Sequence, residues 1–153
     1  MSDLDAMQAA LAAAQIAMAA GEVPIGAVIL HQDRIIATGQ NRVLRDLDPT
    51  AHAEIVALRA AASSLGNYRL TECTLVSTLE PCAMCAGAMV HARIARLLYA
   101  AADPKAGAVS SVMQVLNHPA LNHTVQVTAG TLADEAATLL QTFFRERRAA
   151  QRL

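Results

Sequence analysis

Two short segments carry most of the residues that could do chemistry. "DPTAHAEIVAL", residues 48 to 58, holds His52 and Glu54; "TLEPCAMCAGAMVHARI", residues 78 to 94, holds Cys82 and Cys85, two of only three cysteines in the chain. On "PCAMC" alone, two readings stand level. Cysteines three apart, opening a helix directly after a strand, suit a redox pair and equally suit half of a metal site. A pair of buried structural thiols comes third. His52 and Glu54 separate these readings. In the first turn of a helix, side chains lean toward the N-terminal end, so both can converge on a point beyond it. If that end meets the start of the helix bearing Cys82 and Cys85, one imidazole and two thiolates form three ligands of a tetrahedral ion, a set that suits zinc. No fourth ligand presents itself: Cys73 precedes a strand and reads as a small buried residue, while His91 lies about two turns along its helix. Three protein ligands leave a position open to water, as in catalytic rather than structural zinc sites. Zinc lowers the pKa of such a water from about 15.7 to about 7. Glu54, a carboxylate that need not bind the metal, would pass the proton to a leaving amine. This is an arrangement for hydrolytic deamination.

The elements that must position these residues follow from periodicity and punctuation. Residues 4 to 20 read as a helix with Leu4, Met7, Leu11 and Met18 near one face, a cap at Ser2 or Asp3, and an end at Gly21. "IGAVILH" and "RIIATGQ" read as strands joined through Gln32-Asp33. A polar connection over 41 to 49 leads into a helix ending near Leu65 and closed by Gly66. "CTLVSTL" is a third strand, and Pro81 is expected at the first position of a helix running to about Ala92. "RLLYA" then pairs parallel to the third strand, since the two flank a helix. A short helical piece is expected over Val112 to Leu116, then a fifth strand, "TVQVTA". Thr131 and Asp134 have capping-box spacing for a last helix through Arg148. The result is a single α/β domain over residues 1 to 153, a five-stranded mixed sheet with helices on both faces.

Composition narrows the class further. The chain is 54% hydrophobic, but much of that is alanine, which favours helix and gives no stretch long enough to span a bilayer. Asp3 and Asp5 stand where a signal peptide would be positive. A cytoplasmic protein with no membrane partner is expected. The net charge of −1 argues against a general nucleic-acid coat, and no DNA partner is expected. Arg145, Arg147, Arg148 and Arg152 nevertheless concentrate positive charge at the C-terminal end, where they suit phosphates or the negative end of a helix.

The pattern His-x-Glu followed by Pro-Cys-x-x-Cys is the signature of zinc deaminases. Beyond it, "EVPIGAVI", "NYRL", "CAGAMVHARI", "ADPKAGA", "LNH" and "FFRERR" occur in an order and spacing that resemble the bacterial tRNA-specific adenosine deaminases from about residue 4 to residue 148. That resemblance implies a three-layer cytidine-deaminase-like fold and hydrolysis of the wobble adenosine (position 34) to inosine in tRNA, mainly the arginine tRNA with anticodon ACG. It implies one Zn²⁺ per subunit held by His52, Cys82 and Cys85, with Glu54 as proton shuttle. Asn41 would hydrogen-bond the purine, the N–H of Ala53 would hold its other side, and Val23, Pro24 and Ile25 would wall the pocket. Asp103, Lys105, Phe144 and Arg145 would hold the nucleotides around the flipped base. Of Phe143 and Phe144, at most one should face the core. The partner implied is a tRNA anticodon stem-loop, whose single-stranded bases leave their stack at least cost. The family is homodimeric, and the Ala- and Met-rich helix after Pro81 suits packing against a copy of itself.

Two other functions share parts of this pattern. A deaminase of a free base or nucleoside, of guanine or cytosine type, needs the zinc chemistry without "DPK" and "FFRERR". A noncatalytic zinc-stabilised RNA-binding module would leave Glu54 without a task, and a redox protein would leave both His52 and Glu54 unexplained.

Overall fold

The strands present alternate residues to two helical layers, and this alternation divides the core. A computed structural model describes residues 1 to 152. Strands β1 (Gly26–His31), β2 (Arg34–Gln40), β3 (Cys73–Leu79), β4 (Arg96–Ala101) and β5 (Gln126–Ala129) form one sheet in the order β2-β1-β3-β4-β5. β1 pairs antiparallel with both β2 and β3; β3–β4 and β4–β5 are parallel. Val28, Val76 and Leu98 point to one face, where α1 (Asp3–Ala19) and α4 (Ala133–Gln151) pack through Ala6, Met7, Ala10 and Ala136. Ile29, Leu75 and Leu97 point to the other, beneath α2 (Ala53–Leu65) and α3 (Ala83–Ala92). The three-layer mixed sheet is the one expected.

Two glycines set how closely the helices approach. A Cβ on Gly26 would run into the main chain of Ala10 and Ala14 on α1; a Cβ on Gly39 would run into the main chain of Ala53 and Ala57 on α2. This close seat explains why the buried face of α1 is alanine. Ala6, Ala10, Ala13, Ala14 and Ala17 are buried with Met7, whereas Leu4, expected on that face, is 47% exposed. A larger side chain there would lift the helix off Gly26.

Helix ends show the remaining differences. Ser2 caps α1 as expected, its Oγ accepting from the Asp5 N–H at 3.0 Å. Gly66 adopts the left-handed conformation at the end of α2 (φ 65°). Pro81 is not inside α3: Cys82 is the N-cap, with Pro81 before it. Thr131 does not cap α4. Leu132 occupies that position with φ 57° and no side-chain cap, while the Ala133 N–H donates to the Gly130 carbonyl at 3.1 Å. Residues 112 to 116 form no helix; the N–H groups of Val112 and Met113 both turn back to the Gly107 carbonyl. β5 is also shorter than expected, beginning at Gln126.

Candidate active site

Both suspected metal-binding segments begin a helix with a residue that fails to cap it. His52 is the N-cap of α2 and Cys82 the N-cap of α3, and neither side chain bonds its own helix. Ser, Thr, Asp or Asn normally holds this place. Instead the polar atoms turn toward each other: His52 Nδ1 lies 3.5 Å from Cys82 Sγ and 3.5 Å from Cys85 Sγ. The three ligand atoms all lie within 4.8 Å of one another. Tetrahedral zinc, with Zn–S about 2.3 Å and Zn–N about 2.0 Å, requires N···S edges of about 3.6 Å. The triangle therefore has the size and the donor set for such an ion.

The electrostatics suit cation binding. Hydrogen bonds from Cys85 and then from His52 hold the Cys82 thiol down at about 3. The same bond, together with burial, pushes Cys85 up. The hydrogen bond to Cys82 raises His52. Both helix N-termini add partial positive charge where thiolates gather.

Glu54 lies in the first turn of α2, only 4% exposed. Burial pushes its carboxyl above the ordinary range, opposed by its own N–H and by His52. A carboxyl raised in this way is a stronger base than an exposed one and can take up a proton more readily. Ala53, first residue of the helix, has an N–H with no intrahelical partner.

A cleft of about 550 Å³ is lined by Val23, Asn41, Leu44, Phe144, Arg147 and Arg148 among others, and by none of the triangle residues. Asn41 is 8% exposed. Its carboxamide oxygen accepts from the Val43 N–H at 3.1 Å, which leaves the NH₂ to donate. Its main-chain N–H donates to the Ile25 carbonyl at 3.1 Å, so the Val23–Pro24–Ile25 segment runs alongside. The next residue, Arg42, donates its N–H to the Ala51 carbonyl, joining the cleft wall to the approach to His52. Phe143 is buried and Phe144 is 43% exposed, as their adjacency requires. Arg145 faces a smaller neighbouring hollow with Phe144 and Arg148. Arg147, which sequence reasoning left unassigned, stacks over Phe143 at 5.3 Å and lines the main cleft.

Two buried carboxylates were also missed. Glu22 accepts from the N–H groups of Leu44 and Arg45 and from Arg45 Nε, each at 3.0 Å. Glu80 accepts from the N–H groups of Asp103, Val109, Ser110 and Ser111 at 2.9 to 3.1 Å, and from the Ser111 hydroxyl. Burial alone would raise Glu80, but these donors hold it down at about 2. An isolated Glu before a turn gives no periodic signal, so neither residue stood out. Asp103 Oδ1 in turn accepts from the N–H groups of Lys105 and Ala106, and the Lys105 side chain is exposed.

Comparison with known proteins agrees with this geometry. The MafB19-like deaminase family model matches residues 1–148. The chain is 48% identical to the tRNA-specific adenosine deaminase of Haemophilus influenzae, over 96% of this chain and 86% of that protein. The chain belongs to the tRNA-specific adenosine deaminase family. A solved structure from studies of A-to-I editing by tRNA:A34 deaminases superposes on this deaminase with a TM-score of 0.86 and 45% identity, covering 89% of this chain and 99% of the other. The guanine deaminase of Nitrosomonas europaea is more distant, with a TM-score of 0.78 and 29% identity over 93% of this deaminase and 84% of that chain. No helix among the described residues is long and apolar enough to cross a membrane.

Proposed function

We propose that this deaminase converts adenosine 34 of tRNA, mainly the arginine tRNA with anticodon ACG, to inosine and ammonia, in the cytoplasm and as a homodimer with one zinc per subunit. The observation that carries the reading is the triangle of His52, Cys82 and Cys85 with buried Glu54 in the first turn of α2; a cleft lined by Asn41, exposed Phe144 and the arginines of α4 supports it. Zinc, when bound by that triangle, supplies an acidified water as nucleophile. Glu54 accepts the proton from the water and returns it to the departing N6 amine; its burial raises its carboxyl above the ordinary range and so strengthens it as a base. The Asn41 NH₂ donates to a ring nitrogen of the purine and the Ala53 N–H holds the opposite edge, so that C6 faces the reacting centre. Val23, Pro24 and Ile25 wall the base from water. Phe144 offers a stacking face; Lys105 and Arg145 meet phosphates, and the free carboxylate oxygen of Asp103 accepts from a 2′-hydroxyl.

A dimer is supported by the shallow apolar groove between α2 and α3, lined by Ile55, Leu58, Ala62, Ala88 and Ala92. Gly87 on α3 has open space at its Cβ position, which allows close approach of a second copy. Sedimentation at micromolar concentration measures this directly.

The functional test is inosine formation in an ACG anticodon stem-loop RNA by the zinc-loaded protein, with Glu54→Ala beside it. Conversion confined to the wobble adenosine and absent in the variant is expected. Metal-loaded protein that leaves the RNA unchanged but deaminates a free purine or pyrimidine would overturn the tRNA assignment.

A further inference from the structure

The loop that bears Asp103 and Lys105 is gathered chiefly on the Glu80 carboxylate, with a further tie from the Tyr99 hydroxyl, 3.0 Å from Ser110 Oγ. Glu80 ends the run from β3 toward α3, is 2% exposed, and spends both carboxylate oxygens on that loop. Oε2 collects the N–H groups of Val109, Ser110 and Ser111; Oε1 takes the Asp103 N–H and the Ser111 hydroxyl. Gly107 lies where a Cβ would strike the carboxylate, so the loop wraps the group without a gap. Two main-chain bonds tighten the same junction: the Glu80 N–H to the Ala101 carbonyl at 2.8 Å, and the Ala108 N–H to the Pro81 carbonyl at 2.8 Å. The far side of that junction is Cys82.

We propose that Glu80 is a positioning residue that fixes the 103–111 loop relative to the Cys82 end of α3, and so sets which nucleotides flanking the reactive adenosine are accepted. This rests on the tRNA reading above for its substrate. The chemistry requires the base and its neighbours to be held in one frame, since a displacement of about 1 Å away from the reacting atoms can cost on the order of a hundredfold. Glu80 is the covalent neighbour of the ligand segment and the common acceptor of the loop, so it joins the two frames through one residue. A group that served only to stabilise the fold would alter the amount of folded enzyme and leave the properties of each folded molecule alone.

Glu80→Gln tests this with nearly unchanged shape. The amide keeps one oxygen for the three donors at Oε2 and places an NH₂ against the Asp103 N–H, releasing Asp103 selectively. Zinc content should stay at one per chain, and exchange of the Asp103 amide hydrogen should accelerate by about tenfold, as loss of one hydrogen bond to a charged group implies. KM for the anticodon stem-loop should rise by about tenfold with kcat within about threefold, the signature of lost ground-state binding. Preference for the natural flanking nucleotides over changed ones should weaken. Unchanged amide exchange, or an unchanged KM with Asp103 released, would overturn the proposal. If Glu80→Gln fails to hold zinc, Ser111→Ala replaces it, removing one donor and leaving the carboxylate in place. KM should then rise about fivefold, and an unchanged value would overturn the proposal equally. If the wild-type enzyme edits no stem-loop RNA, the tRNA reading fails by itself, while amide exchange still decides whether Glu80 holds the loop.

Discussion

Gly39 of β2 lies directly against the main chain of Ala53, the residue between His52 and Glu54. The strand thus sets the height of the first turn of α2, and with it the positions of His52 and Glu54, the proposed metal ligand and proton shuttle. Gly39→Ala should lift that turn. The expected outcome is a loss of about 1–3 kcal/mol in stability, as overpacking of a tight seat generally costs, together with weaker zinc retention. Urea unfolding and metal analysis on the same sample check both; unchanged zinc affinity would show that α2 shifts without moving His52.

Glu54 is buried beside the His52, Cys82 and Cys85 group and, in the proposed reading, does not bind the metal. Glu54→Gln should keep zinc at the wild-type level and lower kcat by about 10²- to 10⁴-fold, the range of general acid–base contributions. Single-turnover deamination with metal content measured in parallel separates the two effects.

Cys82→Ala leaves one imidazole and one thiol, too few for a stable site. The variant is expected to purify without zinc and without activity, and added zinc should not restore turnover. A chelator competition on the wild-type protein gives the reference affinity.

In the proposed reading Asn41 meets the purine through its NH₂, while its oxygen accepts from the Val43 N–H. Asn41→Ala should reduce kcat/KM by about 10- to 100-fold, the cost of one hydrogen bond lost in a buried setting. Asn41→Asp should do at least as much harm, since it replaces the donor with a charge. Equal activity of Asn41→Asp and wild type would show that the NH₂ does not touch the base.

Glu22 contributes, with Glu80, to the acid limb of stability. Burial alone would raise its carboxyl, but the N–H groups of Arg45 and Leu44 and the Arg45 side chain pull it below the ordinary 4.5. A lowered folded-state value means that the folded chain binds fewer protons than the unfolded one. The stabilisation is therefore full above about pH 4.5 and is lost as pH falls through the lowered value. Urea midpoints from pH 7 to pH 3 should fall more steeply for wild type than for Glu22→Gln, and parallel curves would count against the ion pair with Arg45.

The metal set was legible because it needed only residue types at helix starts, and helix starts follow strands and turns that the sequence marks. Cys82 and Cys85 could be placed from Pro81 and the strand before it even though the helix begins two residues later than expected, at Ala83. The alanine face of α1 was not legible. A stripe of Leu and Met looks like a core face until Gly26 is known to lie beneath the helix, and that contact joins residues far apart in the chain. The same holds for Glu22 and Glu80, whose donors lie more than twenty residues away. Residues 112 to 116 look helical by composition, but Gly107 draws their first N–H groups back into a turn. Thr131 had the right spacing for a cap, yet Leu132 takes the position in a left-handed conformation and the Gly130 carbonyl serves in place of a side chain.

Glu22 and Glu80 each tie one loop to the frame. Redesign could therefore treat each loop with its carboxylate as a replaceable cartridge: exchange of residues 41 to 48 together with Glu22, or 103 to 111 together with Glu80, would retool the choice of substrate while leaving the hydrolytic engine at the two helix starts in place. The sharing of this frame with a guanine deaminase at a TM-score of 0.78 fits a design in which the chassis and the tooling change separately.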